Sequence, residues 1–306
     1  MNRLLSLAIA PNTKRVYTAG WNAFCQFKGW RPNTIACGSQ HDIRQFVAWL
    51  SLRNLSPTTI STYVAGVGFF HKVNGWEDPT RDFLVTKLLE GCRRDHPSVD
   101  SRLPISLPVL SDMVRALPHV CSSHFECLMF KAVFLSAFFG FMRVGEFTAH
   151  SKRNIQNSLL SIFDLEFCQT NTMEASVLIS FHSCKNNQTG PPQTIRLTQL
   201  HISALCPVTA LQNYVAIRPS QSQPLFCHFD GSPLTRYQFN AMLKKTLSFC
   251  GLQGLNYRTH SFRIGAASAA FELGVPEADI RRMGRWRSDA VLSYIRPVPT
   301  CNWLGN

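Results

Sequence analysis

A tyrosine lies among arginines near the C-terminal end of the sequence. The segment MGRWRSDAVLSYIRP contains three arginines, Trp286 and, close to its end, Tyr294. A tyrosine hydroxyl can act as a covalent nucleophile, and guanidinium groups stabilise negative charge that develops on an attacked anion. We expect Gly284 to end one helix and Ser288 to cap the next, so that Tyr294 falls near a helix end. By itself the segment favours a ring that fills the core, and the nucleophile hypothesis depends on residues elsewhere.

A histidine and an arginine stand at the start of a second predicted helix. The segment RTHSFRIGAASAAFELG predicts a helix with its cap at Thr259 or Ser261 and its end at Gly274. His260 and Arg263 are three residues apart, so both side chains can project from one side of the helix start. The backbone dipole at that end favours an anion. The pair is either part of an anion site or a capping histidine beside a surface arginine.

Two more basic residues occur where an anion could bind. Arg143 follows the apolar run AVFLSAFFGFM (132–142), which we predict to be a buried helix. A guanidinium beside a buried segment needs a partner, which is either Glu146, three residues later, or a bound anion. Lys185 stands where a strand turns into a hairpin, so its ammonium group could reach a neighbouring site or could simply be solvated.

Cysteine and histidine residues give a weaker signal for a metal site. The sequence has 11 cysteines and no C-x-x-C pair, which predicts reduced thiols in an intracellular protein. Four residues of the types that bind zinc cluster in PHVCSSHFEC, namely His119, Cys121, His124 and Cys127. Their spacing matches no zinc finger. We therefore predict no metal site.

The sequence is basic in both of its parts. It has 31 lysines and arginines against 18 acidic residues, a net charge of +13 over 306 residues. Residues 1–100 carry 12 basic and 7 acidic side chains (+5), and residues 101–306 carry 19 and 11 (+8). This distribution favours a polyanion bound along the molecule, although a soluble protein of high pI is the alternative. We expect no secretion signal from the N-terminal residues, and no apolar run is long enough for a membrane span.

The elements that must position these residues fall into two groups. Residues 1–97 repeat apolar side chains at helical spacing and predict a bundle of about four helices. Prolines without periodicity mark 98–108 as a linker. Residues 109–306 predict helices, interrupted at 155–197 by short β-rich runs. The predicted fold class is mainly α, with an N-terminal helical bundle followed by an α+β domain that holds a small antiparallel sheet.

In their order along the chain, the candidate residues resemble the tyrosine recombinases, the phage-integrase family that includes Cre and the Xer proteins. The matching pattern is Arg143 with Glu146 three residues later, Lys185 on a hairpin, His260-x-x-Arg263, a Gly-Arg-Trp segment and a tyrosine. The resemblance covers nearly the whole chain. It implies that 1–97 is a DNA-binding core-binding domain, that 109–306 is the catalytic domain, and that both clamp duplex DNA.

The resemblance also implies a role for each residue. Arg143 and Arg263 neutralise the phosphorane formed during DNA cleavage, and Tyr294 attacks the scissile phosphate to form a 3′-phosphotyrosyl bond. Lys185 protonates the leaving 5′-oxygen, and His260 assists proton transfer. The implied partners are double-stranded DNA and, in a tetramer, further copies of the chain. No metal, cofactor or small-molecule substrate is implied.

One phosphate-binding position stays open in the sequence. The family carries a histidine or tryptophan nine residues before the nucleophile, where this chain has Arg285, while Trp286 is eight residues before Tyr294. Either the loop shifts by one residue and the Trp286 indole binds the phosphate, or Arg285 replaces it. The side-chain type favours Trp286. Only 12 residues follow Tyr294, so we expect little exchange of C-terminal segments between protomers.

The sequence of one segment indicates a particular branch of this family. GRWRSDAVLSYIRP resembles the eukaryotic mobile-element branch of the DIRS, Ngaro or Crypton kind, which implies a nuclear protein. Two alternatives are a domesticated DNA-binding protein without catalytic activity and a type IB topoisomerase. No catalytic residue is plainly lost, which argues against the first. The helical N-terminal domain argues against the second.

Overall fold

Two compact units make up the chain, Met1–Asp100 and Ser101–Asn306. The computed structural model describes residues 8–31, 34–97, 100–153, 155–156, 158–169, 175–182 and 190–296. The division between the units falls inside the predicted linker, 98–108. The predicted fold class, mainly helical with a small antiparallel sheet, is confirmed. Among the described residues, no helix is long and apolar enough to cross a membrane.

The described part of the first unit contains four α-helices. They are α1 (Pro11–Phe27), α2 (Gln40–Leu52), α3 (Pro57–Val73) and α4 (Phe83–Asp95), with a 3₁₀ turn at Pro79–Arg81. At the start of α2, α3 and α4, a side-chain oxygen accepts a hydrogen bond from a backbone N–H of the first turn; the accepting residues are Ser39, Ser56 and Asp82 respectively. Such caps satisfy N–H groups that have no partner inside the helix. The apolar helix faces enclose a core rich in aromatic rings, including Trp21 and Phe24.

The second unit combines helices with one three-stranded sheet. Its elements are α5 (Leu107–Val120), α6 (His124–Phe139), α7 (Val144–Phe147), β1 (Leu165–Gln169), β2 (Ala175–Phe181), β3 (Gln193–Thr198), α8 (Pro207–Val215), α9 (Arg236–Phe249), α10 (Ser261–Glu272) and α11 (Glu277–Met283). A 3₁₀ turn follows at Asp289–Ser293. The core of this unit surrounds α6, in which most residues from Met129 to Phe138 are buried.

The buried helix ends earlier than its sequence predicts. The apolar run 132–142 predicts a helix to Met142, but α6 ends at Phe139 and Gly140 is its C-cap. Phe141 then adopts a left-handed backbone with φ of 47°, which no helix can continue. Phe141 and Met142 stay buried without being helical. This turn redirects the chain, and Arg143 follows as the N-cap of α7.

The sheet has the order β1-β2-β3, and both pairs of strands are antiparallel. In the central strand, Val177, Ile179 and Phe181 are buried, as expected for alternate residues on one face of a half-covered strand. They lie against the core of the second unit. The last of them, Phe181, ends β2 immediately before the predicted hairpin.

Helix α10 packs against the extended segment that opens the second unit. The N–H of Ile105 donates to the carbonyl of Ser261 at 3.0 Å. A Cβ on Gly265 would lie 1.8 Å from the Ile105 carbonyl oxygen, so only glycine permits this approach. The predicted cap at Thr259 or Ser261 is wrong. His260 occupies the N-cap, and its side chain makes no capping hydrogen bond to the helix.

Candidate active site

Arg143 stands directly before α7 and pairs with Glu146 on that helix. Its backbone N–H donates to Glu146 Oε2 at 2.8 Å, and its Nη1 donates to Glu146 Oε1 at 3.1 Å. The Glu146 side chain is buried, whereas that of Arg143 keeps 16% of its surface exposed. The ion pair expected from the spacing is therefore present. It leaves Arg143 partly accessible to a ligand.

Arg285 supplies a second guanidinium to the same carboxylate. Its Nη2 donates to Glu146 Oε2 at 2.9 Å and its Nη1 to Glu146 Oε1 at 3.3 Å. The Arg285 Cζ also lies 3.8 Å from the centroid of the Phe181 ring at the end of β2, a cation–π contact. Only 3% of the Arg285 side chain is exposed. This guanidinium faces the protein interior.

The turn after α11 produces this arrangement. Gly284 is the C-cap of the helix, as predicted, but the left-handed residue is Arg285, with φ of 57°. Glycine is required at 284 because a Cβ there would lie 1.6 Å from Cζ3 of Trp286. The left-handed turn sends the side chains of Arg285 and Trp286 to different partners. The two candidates for the open phosphate-binding position are thus separated.

Arg263 lies in the interior of the second unit. It is 1% exposed, and the alternative of a surface arginine is wrong. One guanidinium nitrogen donates to the carbonyl of Phe141, and Nη2 donates to the carbonyl of Gly284 at 2.9 Å. The Cζ lies 4.5 Å from the Trp286 ring centroid and 5.5 Å from that of Tyr294. Helix α10 thus places the Arg263 guanidinium beside the Tyr294 ring.

Tyr294 follows the 3₁₀ turn at Asp289–Ser293, which Ser288 caps as predicted. Its ring centroid lies 4.9 Å from that of Trp286 and 6.0 Å from that of His260. The residue is half-buried, at the margin of the core. The backbone carbonyl of Tyr294 accepts a hydrogen bond from Ser268 Oγ at 3.3 Å. The ring therefore packs beside an imidazole, an indole and a guanidinium.

Positive charge dominates the described cluster. Three guanidiniums, of Arg143, Arg263 and Arg285, surround the single carboxylate of Glu146, which leaves a formal charge of +2. Burial and the charge of Arg143 lower the pKa of Arg263 to about 9, although Glu146 acts in the opposite direction. A bound anion would relieve this repulsion. The cluster suits an anion such as a phosphodiester.

Lys185 lies outside the described residues, in the segment 183–189. Its role therefore remains the expectation drawn from the resemblance. The structure brings together the other candidates, which are Arg143, Glu146, His260, Arg263, Arg285, Trp286 and Tyr294.

The structure also shows the surroundings of the histidines and cysteines of PHVCSSHFEC. Within the described ranges, no group of three or more His, Cys, Asp or Glu side chains is arranged to hold a metal ion. The His119 ring instead stacks on Phe249, with centroids 5.2 Å apart. Burial raises the pKa of the Cys121 thiol to about 12 and also raises that of Cys127. Thiols with raised pKa values are poor metal ligands at neutral pH.

Sequence reasoning missed three parts of the site. The carbonyls of Phe141 and Gly284 hold Arg263, but backbone atoms leave no residue-type signal. Phe181 supports Arg285, although its place in an alternating strand indicates only that it is buried. The sequence predicts Gly284 only as a helix stop, because its closeness to an indole ring depends on tertiary packing.

Comparison with known proteins gives a consistent result. Residues 112–296 match the profile of a family described as the phage integrase family. An integrase/recombinase xerD homolog from Selenomonas ruminantium is 23% identical over 308 residues, covering 95% of this chain and 82% of that protein.

Two solved structures share the fold. The XerH site-specific recombinase, bound to its palindromic difH substrate after cleavage, superposes with a TM-score of 0.64 at 16% identity, over 92% of this chain and 75% of that one. A lambda integrase dimer bound to a COC′ core site superposes with a TM-score of 0.62 at 15% identity, over 100% of this chain and 77% of that one.

Proposed function

The chain belongs to the phage integrase family, and we propose that it is a site-specific DNA recombinase that cuts and rejoins strands through a 3′-phosphotyrosyl intermediate. The observation that carries the proposal is the surroundings of Tyr294, a half-buried ring beside Arg263, His260 and Trp286. A tyrosine at the core margin needs no buried guanidinium for its packing. A tyrosine that attacks a phosphodiester does, because the transition state gains negative charge.

Each side chain has a chemical task in this proposal. The Tyr294 oxygen forms a bond to the scissile phosphorus while the bond from phosphorus to the 5′-oxygen breaks. Arg143 and Arg263 neutralise the non-bridging oxygens, and His260 takes part in moving the tyrosine proton. Lys185 gives a proton to the departing 5′-oxygen. The 5′-hydroxyl of another strand then reverses the step, which restores the tyrosine and rejoins the DNA.

A selection for covalent adducts tests the function and identifies the DNA site in the same experiment. The purified chain is incubated with a pool of nicked duplexes of random sequence, and DNA that stays attached to denatured protein is recovered and sequenced. We expect a defined sequence with the protein linked to a 3′-phosphate. Tyr294→Phe should form no adduct, and Tyr237→Phe, at an exposed tyrosine on α9, should match the wild type. Adduct formation by Tyr294→Phe would contradict the proposal.

The role of Lys185 has a separate test. A 5′-sulfur leaving group departs as a thiolate and needs no proton, because thiols are far more acidic than alcohols. We expect Lys185→Ala to cleave ordinary DNA slowly, by a factor of about 10² to 10⁴. On a duplex with sulfur in place of the scissile 5′-oxygen, the variant should approach the wild-type rate. Equal defects on both substrates would argue against proton donation by Lys185.

We also propose the finer features implied by the sequence. The helical unit Met1–Asp100 would serve as a DNA-binding domain, and four protomers would exchange strands pairwise between two duplexes. The sequence of the segment GRWRSDAVLSYIRP supports a eukaryotic mobile element and a nuclear location. Mixing two duplexes of the selected sequence distinguishes the alternatives. Recombinant products support the recombinase, relaxation of plasmid by single protomers would favour a topoisomerase, and binding without adduct would favour a domesticated DNA-binding protein.

A further inference from the structure

The Glu146 carboxylate is shared between two guanidiniums that differ in exposure. It accepts hydrogen bonds from the backbone and Nη1 of Arg143 and from both terminal nitrogens of Arg285. Four donors use the full accepting capacity of a carboxylate. Of the two side chains, Arg143 keeps 16% exposure and Arg285 keeps 3%. Only Arg143 is placed to meet a phosphate from outside.

The remaining contacts of Arg285 also point to an interior role. Its Nη2 donates to the Phe141 carbonyl at 3.3 Å, the same carbonyl that accepts from Arg263. One face of its guanidinium lies on the Phe181 ring. Carboxylate, carbonyl and ring together hold Arg285 in one orientation. A phosphate ligand would need guanidinium donors directed away from these groups.

The charges explain why a second arginine is useful at this place. Glu146 orients Arg143, but a pair made of one guanidinium and one carboxylate has no net charge and attracts a phosphate weakly. With Arg285 included, the three groups carry a net charge of +1. Glu146 can then fix the geometry of Arg143 while the group as a whole stays positive.

We propose that Arg285 and Phe181 are positioning residues for DNA cleavage: Arg285, held on the Phe181 ring, balances the charge of Glu146 so that Arg143 remains an effective phosphate ligand. The inference rests on the recombinase function proposed above. It implies that Arg285 does not occupy the open phosphate-binding position. It also gives Phe181 a task beyond filling the core, since its ring holds Arg285 against the carboxylate.

A double-mutant cycle tests the charge balance. The substrate is the nicked duplex recovered in the adduct selection, and the readout is the rate of covalent adduct formation at saturating DNA. Arg285→Met should slow adduct formation about 100-fold, the scale for losing one charged group at a transition state. Adding Glu146→Gln removes the unbalanced carboxylate, so the double variant should be about tenfold faster than Arg285→Met.

The sign of this coupling separates the two roles of Arg285. If Arg285 bound the phosphate itself, the double variant would form adduct more slowly than either single variant, and this result would overturn the inference. An Arg285→Met protein as fast as the wild type would also overturn it. A wild-type chain that forms no adduct on any duplex would overturn the proposed function itself. DNA affinity and melting temperature, measured for every variant, identify losses caused by misfolding.

Phe181 gives a second test that leaves every charge in place. Phe181→Leu removes the ring from Arg285 and should slow adduct formation about tenfold at saturating DNA, as expected for a desolvated cation–π contact. The matched control is Phe130→Leu, an equally buried phenylalanine of α6 whose ring contact is with Phe134. It should lower the melting temperature by a similar amount without changing the rate. Equal rates for both variants would contradict the role of Phe181.

Discussion

At the scale of single residues, Trp286 is the side chain in closest ring contact with Tyr294. Its indole packs edge-on against Phe141, with centroids 5.9 Å apart, and lies beneath the Arg263 guanidinium. Arg285, one position earlier, is turned toward Glu146. Since Trp286 borders the tyrosine and carries an N–H donor, it is the better candidate for the third phosphate contact.

Replacing Trp286 by Phe tests this assignment. The phenyl ring retains most of the packing but removes the N–H, so adduct formation should slow about tenfold, the effect of one hydrogen bond to a charged group. Trp286→His keeps a ring N–H and should be less impaired than Trp286→Phe. The measurement is the adduct rate at saturating DNA. A Trp286→Phe rate equal to that of the wild type would exclude a hydrogen-bonding role.

Residue types and order are sufficient to select the members of the cluster, but not their contacts. Arg143 with Glu146, and His260 with Arg263, stand at short spacings, so local geometry already places each pair on one element. The contact between Arg285 and Glu146 spans 139 positions of the chain. It depends on a left-handed backbone at Arg285 itself, where an arginine gives no signal of that conformation. The sequence also leaves the exposure of Arg263 undetermined, because burial of a charge depends on distant carbonyls.

At the scale of elements, the contact between α10 and the extended segment near Ile105 fixes the position of Arg263. The backbone of α10 at Gly265 packs directly against the backbone of Ile105, and the Ser261 carbonyl at the helix start accepts a hydrogen bond from the Ile105 N–H. Arg263 lies on the same turn of helix. Displacing α10 would therefore move Arg263 relative to the carbonyls that hold it.

Gly265→Ala should disrupt this contact. The added methyl group would overlap the Ile105 carbonyl, and relieving the overlap should lower the free energy of unfolding by about 3 kcal/mol or more. Gly91→Ala is the matched control, because a Cβ at this exposed α4 position meets no atom within 4 Å. It should stabilise the helix by up to about 1 kcal/mol. Denaturant unfolding measures both, and equal effects would contradict the packing argument.

The 3₁₀ turn at Pro79–Arg81 gives a pH-dependent prediction for the first unit. Burial opposes ionisation of Asp78, but hydrogen bonds from Lys72 and Thr80 outweigh it and lower the pKa of this carboxyl to about 2. A carboxyl with a lowered pKa stabilises the fold above its unfolded pKa, near 4, and this contribution is lost as the pH falls toward 2. We expect a loss of up to about 2 kcal/mol over that range.

Asp78→Asn supplies the comparison for this titration. The amide cannot ionise, so the unfolding free energy of the variant should change less between pH 4 and pH 2 than that of the wild type. Urea unfolding at a series of pH values measures the difference. Parallel curves for the two proteins would show that Asp78 is not the titrating group.

At the scale of the whole molecule, the excess of positive charge is shared by the two units. Residues 1–100 carry +5 and residues 101–306 carry +8. A duplex bound by both should therefore release many counterions. For six to ten phosphate contacts, affinity should fall by about 10³ to 10⁵ between about 50 and 200 mM salt. Titrations of the selected duplex at several salt concentrations measure the slope, and an affinity that does not change with salt would contradict binding along the phosphate backbone.

The buried arginines also bear on how this sequence drifts once DNA cutting ceases to be selected. Arg285 pairs with the Glu146 carboxylate, so its loss alone would leave a buried charge unpaired, whereas Arg263 donates to the carbonyls of Phe141 and Gly284. An apolar residue packed in place of Arg263 would remove a buried charge without leaving a carboxylate unpaired. Tyr294 has no such cost, since its ring packs at the core margin. In a decaying lineage Arg263 should therefore disappear before the tyrosine. Retention of Arg263 therefore indicates continued selection for cleavage more strongly than retention of the nucleophile, and Arg263 is the position by which to recognise inactive descendants.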